Sequence, residues 1–331
     1  MGAVLCRDIR SKDGRTALHK GHRLAPGDMT TLRAAQADEL HVLWLDQGDV
    51  DEDTASERLA QAIAGSGVTR HSPVESQVRL SAATRGLLRV NSATLQRINE
   101  VDGVTVFTLP DGTPVDAGRT LAGVKITALA ISEGTLAKAL GNGAGPNGDA
   151  STISVLPFAP LGIAVVVRQQ LGDTARRRFE AALHARAQWF GGRVTNISYV
   201  ADDAGNISAA IDAAATDADI VLVAGVASVD PLEVTWQTLL QAGARPIRRG
   251  LPVHPGSSYW LADLDGRLVI GVASCGMLSR RSALDLLLVR RFAGAPMDAA
   301  YFAGLGHGGL LGSEASWRVP PYAVTLDPDE D

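Results

Sequence analysis

Cysteine is nearly missing from the chain: Cys6 and Cys275 are the two in 331 residues. That excludes a disulfide framework and a Cys-x-x-Cys metal site, and it predicts a cytoplasmic chain with free thiols. Positive charge is not in excess either. A formal net charge of −5 excludes the basic stripe that nucleic-acid binding needs, and the run Arg176, Arg177, Arg178 reads as one solvated helix face. No apolar run approaches the ~18 residues of a membrane span, and charge at Arg7 and Asp8 precedes any hydrophobic region. The sequence therefore predicts neither a membrane helix nor a signal peptide. Gly2 starts no myristoylation signal, because Cys6 stands where Ser or Thr is required. A P-loop, a serine-hydrolase elbow and a zinc signature are all absent. GNGAGPNG at 141–148 has dinucleotide-fingerprint spacing but follows a helix and precedes a strand, the reverse of what pyrophosphate binding requires. GLGHGGLL at 304–311 repeats the coincidence, with His307 as a loop residue. His19 and His22 lack a third ligand nearby and read as solvated.

What is present is an ordinary globular composition, 46% hydrophobic and 20% charged, at a length that predicts two domains. Residues 1–150 are expected to form an α+β, β-rich domain. It begins with a strand at 3–6, a loop over 8–20 turning at Gly14, a helix capped by Asp28, a strand at 39–46 and a helix at 53–64. Short β segments at 74–83 and 86–91, a helix at 92–101 and strands over 103–131 follow, with Asp111-Gly112 as a hairpin turn. Turn signals about every ten residues predict a small barrel or sandwich. After a helix at 133–140, the Gly-rich stretch to 150 marks the domain boundary.

Beyond it strands and helices alternate. Strands at 161–167, 193–200, 220–224 and 267–273 are separated by helices at 173–190, 207–215 and 233–241 and a segment at 244–253, and a helix at 278–292 closes the series. That order predicts right-handed crossovers and a three-layer αβα sandwich over 151–312. The acidic, Pro-interrupted tail 313–331 is expected to be disordered.

The stretch DIVLVAGVASVDPLEVT at 219–235 organises this second half. Its short Val-rich run predicts a buried central strand, and open α/β sheets bind ligands past the C-terminal ends of such strands. Gly225, Ala227 and Ser228 let the backbone turn closely. A helix starting near Glu233 would offer free amides and a positive dipole end to an anion such as a phosphorylated ligand. Asp230 stands at the mouth of the sheet, where a carboxylate can accept from ligand donors or hold a Mg²⁺ that bridges to phosphate; the alternative is an Asp-Pro turn that caps the helix carrying Thr235. Asp202 and Asp203 lie between a strand and a helix, where one of them serves as a cap. The turn Pro255, Gly256, Ser257, Ser258 presents amides and two hydroxyls, as a phosphate site or as an ordinary turn. Ser274, Cys275 and Gly276 precede a helix start, where the dipole favours thiolate; a buried inert thiol is the plainer alternative.

These segments resemble the molybdopterin-binding domain shared by the MogA and MoeA families of molybdenum-cofactor biosynthesis. VADDAGNISAAIDAAATDADIVLV at 200–223 is similar to the family's Asp-Asp, helix, Ala-Asp, strand run. LPVHPGSSYWLADLDGRLVIGVASCGMLSRRSALDLLL at 251–288 is similar to its Pro-Gly loop, strand, turn and helix, and the likeness spans about residues 160–295. It implies a MogA/MoaB-like fold whose ligand is molybdopterin or a nucleotide form of it, with Mg²⁺. It also implies Asp230 as the catalytic residue that reads the pterin or the metal. The ligand contacts it implies are Asp202, Asp203, Gly225 to Ser228, Thr235, Pro255 to Ser258 and Ser274 to Gly276. A homo-oligomer, with a nucleotidyltransferase domain or a molybdoenzyme as partner, completes the implied picture.

The family pattern breaks at two turns. Its Thr-Gly-Gly or Ser-Gly-Gly is Ala224-Gly225-Val226 here, and its second Pro-Gly is Ala273-Ser274. Val226 puts a branched side chain where a Gly lets backbone approach the ligand, which predicts a reshaped turn or a tighter pocket. One functional reading is a transferase that moves a nucleotide or molybdate onto molybdopterin, its carboxylates positioning Mg²⁺. Another is a pterin carrier or scaffold that keeps the fold without turnover, and the lost Gly-Gly turn separates the two. A third, a domain of the nicotinamide-nucleotide deamidase type, lacks the second domain such enzymes have.

Overall fold

The computed structural model describes residues 3–35, 39–74, 76–143, 151–228, 230–273 and 281–324. The chain forms two compact units: Met1–Thr84, Leu88–Asp111 and Ala117–Val155 make the first, and Arg85–Leu87, Gly112–Asp116 and Leu156–Asp331 the second.

In the first unit the short β segments pair as an antiparallel sheet in the order Val68–Arg70, Gln77–Ala82, Thr120–Ile126, Val104–Thr108. This four-stranded sheet is open and not closed into a barrel, and the helices Glu52–Ile63 and Ser92–Asn99 pack on it. Helix Glu52–Ile63, capped by Asp51, buries Ala55, Leu59, Ala60 and Ile63. Asp111-Gly112 turns within the long connection between Val104–Thr108 and Thr120–Ile126, which pair antiparallel, so the hairpin it belongs to is wide and not a two-residue one. Asp28 is not the expected helix cap. Its carboxylate accepts from the Ala25 amide at 2.7 Å and contacts the His22 ring at 2.8 Å.

The second unit follows the βα alternation. Strand β1 is Gly162–Val167, buried at every residue as a central strand should be. Helix α1 is Asp173–Trp189, β2 Arg193–Tyr199, α2 Ala204–Asp217, β3 Ile220–Val226 and α3 Val234–Gln241. Then come β4 Arg245–Arg249, β5 Trp260–Leu264, β6 Arg267–Ala273, α4 Ala283–Phe292 and α5 Ala299–Gly304. The sheet runs β2-β1-β3-β6-β5-β4. Its first four strands are parallel, and β5 runs antiparallel to its neighbours β6 and β4.

Phe179, Leu183 and Ala187 of α1 and Leu287 and Phe292 of α4 pack on one face with Ile163, Val165, Leu222 and Ile270. Ile207 and Ile211 of α2 and Trp236 and Leu239 of α3 pack on the other with Ala164, Val166, Val221 and Val269. This is the three-layer αβα sandwich the sequence predicts. The helix expected from Leu278 starts at Ala283, where Ser282 and Asp285 form a reciprocal capping box, while 278–280 lie outside the described residues.

The expected disordered tail is partly core. Ser313–Arg318 and Pro321–Val324 are 3-10 turns that bury Ala315, Val319 and Tyr322, and 325–331 lie outside the described residues. The Tyr322 hydroxyl donates to Asp285 Oδ1 at 2.7 Å, and the same oxygen accepts from Arg186 Nε at 2.8 Å. Burial pushes the Tyr322 phenol well above its ordinary value, and the Asp285 carboxylate beside it adds to the effect. For Arg186 burial is the largest effect and acts downward, but the charge and hydrogen bond of Asp285 together with Tyr322 and Tyr259 hold the guanidinium above its ordinary value. Among the described residues no helix is long and apolar enough to cross a membrane.

Candidate functional site

The connection β1 to β2 runs through α1 on one face, and β2 to β3 through α2 on the other. The sheet order therefore reverses at β1, and a crevice opens at the carboxyl ends of β1 and β3. Such a switch point is where open α/β sheets place ligands.

Arg168, the first residue past β1, fills the base of this crevice with its side chain 5% exposed. Its Nη1 donates to the Thr235 hydroxyl at 2.8 Å and to the Glu233 carboxylate. Its Nε donates to Asp202 Oδ1 at 3.0 Å, and Nη2 reaches the same oxygen. One guanidinium thus ties together the ends of β1, β2 and β3. A buried Arg must be paired, and here Glu233, also buried, is the partner. Glu233 has a second task. Its Oε2 accepts from the Trp236 amide at 2.9 Å and caps α3.

That cap changes the expected anion seat. The first amides of α3 receive the chain's own carboxylate, so a phosphate approaching there meets like charge. The start of α4 is also taken: Ala283 N donates to Pro255 O at 2.8 Å and Leu284 N to Ser282 Oγ at 3.3 Å. Asp203 caps α2 through the Asn206 amide. The start of α1, after Gly172, has no side-chain cap.

Several expected residues do gather at the crevice. Gly225 has φ +89°, the left-handed region, and sits in a bulge where the β3–β6 register shifts. A Cβ there would lie 3.0 Å from Gln169 Cβ, so the β3 turn leans on the β1–α1 turn. Ser228 Oγ is buried and has no hydrogen-bond partner among the described residues. Thr235 is fully buried beneath Arg168, and Asp202 rises past β2 with its side chain 61% exposed. Ala227 is exposed on the same turn.

Others point elsewhere. Val226 does not narrow a pocket: after the bulge it pairs with Ala273 and is buried in the core beside Trp236. Asp230 is exposed, and its Oδ1 accepts from the Leu232 amide at 2.8 Å. It turns the chain toward α3, whose cap is Glu233. Asp203 commits both oxygens to Asn206, at 3.0 Å to the amide and 2.5 Å to the side chain, and those bonds hold its carboxyl below the usual range. The turn Pro255 to Ser258 lies at the start of α4, on the face opposite α3; a Cβ on Gly256 would sit 2.5 Å from Ala283 Cβ. Ser257 is exposed and Ser258 half-buried. Ser274, Cys275 and Gly276 lie outside the described residues. Among the described residues no group of three His, Cys, Asp or Glu side chains is placed to hold a metal.

The second unit is thus an αβα domain with its switch point at the carboxyl ends of β1 and β3. Residues 162–301, within the second unit, match the family model described as a probable molybdopterin binding domain. Among solved structures, a molybdopterin biosynthesis MoeA protein from Pyrococcus horikosii is 13% identical, with 73% of this chain and 80% of that one covered at a TM-score of 0.31. A molybdenum cofactor biosynthesis protein from Pyrococcus furiosus is 16% identical over 63% of this chain and 74% of that one, at 0.28. The protein CinA, of unknown function, from Thermoplasma acidophilum is 14% identical over 36% and 92%, at 0.26. No curated protein matches the chain.

Proposed function

We propose that the second unit binds molybdopterin at the crevice between β1 and β3, and that the chain serves molybdenum-cofactor assembly, maturation or delivery. The observation that carries this reading is the Arg168 cluster at the switch point, within the segment that matches the molybdopterin-binding family. The residues present suit a pterin. Asp202 supplies an acceptor, Ser228 Oγ is a buried hydroxyl in search of a partner, and Gly225 keeps the backbone low at the rim. The ligand's phosphate is assigned to the β1–α1 turn, where Gly172 leaves the first amides of a 17-residue helix without a side-chain cap.

Binding without turnover is the version supported by the sealed start of α3. Glu233 occupies the position where a transferred anionic group would be stabilised. The test is direct. Protein purified from a molybdenum-cofactor-producing host, oxidised with iodine and denatured, should release a fluorescent pterin in near-stoichiometric yield. Release of none, from protein that also binds no added pterin, would remove the reading.

A further inference from the structure

We propose that Arg168 is the positioning residue of this site. It holds Asp202 so that one carboxylate oxygen is offered to a ligand edge carrying two adjacent N–H donors, and it thereby sets a preference for an aminopyrimidinone ring over its 2-oxo counterpart. The proposal rests on the pterin reading of the site and adds to it the origin of specificity.

Besides Glu233, which pairs with Arg168 and caps α3, three carboxylates stand near the sheet's mouth, and their hydrogen bonds distinguish them. Asp203 has both oxygens committed to Asn206, and Asp230 turns back onto the Leu232 amide. Asp202 differs from both. Arg168 Nε and Nη2 converge on its Oδ1, while Oδ2 has no partner among the described residues. An exposed aspartate is normally free to rotate; this one is fixed by a guanidinium that is itself fixed by Glu233 and Thr235. Locking an exposed acceptor through a buried shell is how a polar site gains selectivity, because the ordering is complete before the ligand arrives.

Charge settles what such an acceptor selects. Glu233 alone neutralises the buried Arg168, so Asp202 is surplus to the burial of the guanidinium. Arg168, Glu233 and Asp202 together carry one net negative charge. A second anion gains nothing against that cluster, whereas paired N–H donors gain a charge-assisted contact. The fork geometry also explains why the residue is Arg. A Lys ammonium in its place keeps the charge but lacks the rigid pair of N–H groups that converges on one carboxylate oxygen.

The experiment uses the full chain and two probes, pterin and lumazine, which differ by the 2-amino group. Affinities are read by fluorescence titration for the wild type, Asp202→Asn, Arg168→Met and Arg168→Lys, with a thermal melt on each. The wild type is expected to favour pterin about tenfold to hundredfold, the range for a hydrogen bond to a charged group. Asp202→Asn should bring the ratio close to one. Arg168→Met should do the same with Asp202 untouched, and Arg168→Lys should recover part of it. A purely structural role for Arg168 would weaken both probes alike and leave the ratio standing. If Arg168→Met does not fold, Arg168→Lys carries the test, and a wild-type ratio in that variant overturns the proposal. A wild type that binds both probes equally overturns this proposal alone, while one that binds neither overturns the functional reading as well.

Discussion

Asp285→Ala should lower the unfolding free energy by about 3–5 kcal/mol, the cost of removing one partner from a buried ion pair. Asp285 is fully buried and Arg186 is 4% exposed. The carboxylate serves three groups: Arg186 at 2.8 Å, the Tyr322 hydroxyl at 2.7 Å and the Ser282 amide at 2.8 Å. Its loss leaves a guanidinium in the core between α1 and α4, removes the α4 capping box and frees the segment that Tyr322 anchors. A double variant, Arg186→Met with Asp285→Leu, should regain much of the loss, because two apolar groups of similar volume need no pairing. Chemical denaturation read by circular dichroism checks both. A loss below about 1 kcal/mol for Asp285→Ala would mean that the buried charge finds another partner.

Gly271→Val should cost about 3 kcal/mol, the upper end for overpacking, because the site has no room. Gly271 on β6 faces Trp260 on β5 across an antiparallel pair. A Cβ on Gly271 would lie 2.0 Å from Trp260 Cε2 and 2.4 Å from both Cζ2 and Nε1. Trp260 cannot yield, being 1% exposed and packed edge-on to Trp236 with centroids 5.2 Å apart. The glycine exists to let an indole lie flat on the sheet. Because Trp236 also belongs to α3, the disturbance should reach the Glu233 cap. The companion change Trp260→Leu should restore most of the stability to Gly271→Val, and a failure to do so would place the strain in the β6 backbone instead.

The architecture of the second unit was legible because its signals are local. GIAVVV and IVLVA are too short and too β-branched for helices, and the strands alternate with amphipathic segments at crossover spacing. The antiparallel edge was not legible. In Arg245–Arg249 charge and Pro246 interrupt any pattern, and β5 merges with the loop before it. The site was half legible. Position 225–235 could be found from the strand-turn-helix order, and Asp202 from its place between a strand and a helix. Arg168 could not be found that way. A single Arg after a buried strand reads as the first loop residue, and only the crossing order of the sheet brings it to Asp202, 34 residues on, and Glu233, 65 residues on. The signal that was available is the position itself, the first residue past the central strand at a switch point. Glu233 was recognised as a helix start but not as the acid that closes it, since an N-cap side chain that also pairs a buried Arg is a tertiary fact.

The proposed ligand seat is the carboxyl end of β1, β2 and β3 in the second unit. Hydrogen–deuterium exchange on the full chain, with and without a pterin bearing a side-chain phosphate, tests it most directly. Slower exchange is expected in peptides covering 168–176, 201–206 and 225–236, with the first unit unchanged. Protection confined to the first unit, or none in those three segments at a saturating pterin concentration, would contradict the account.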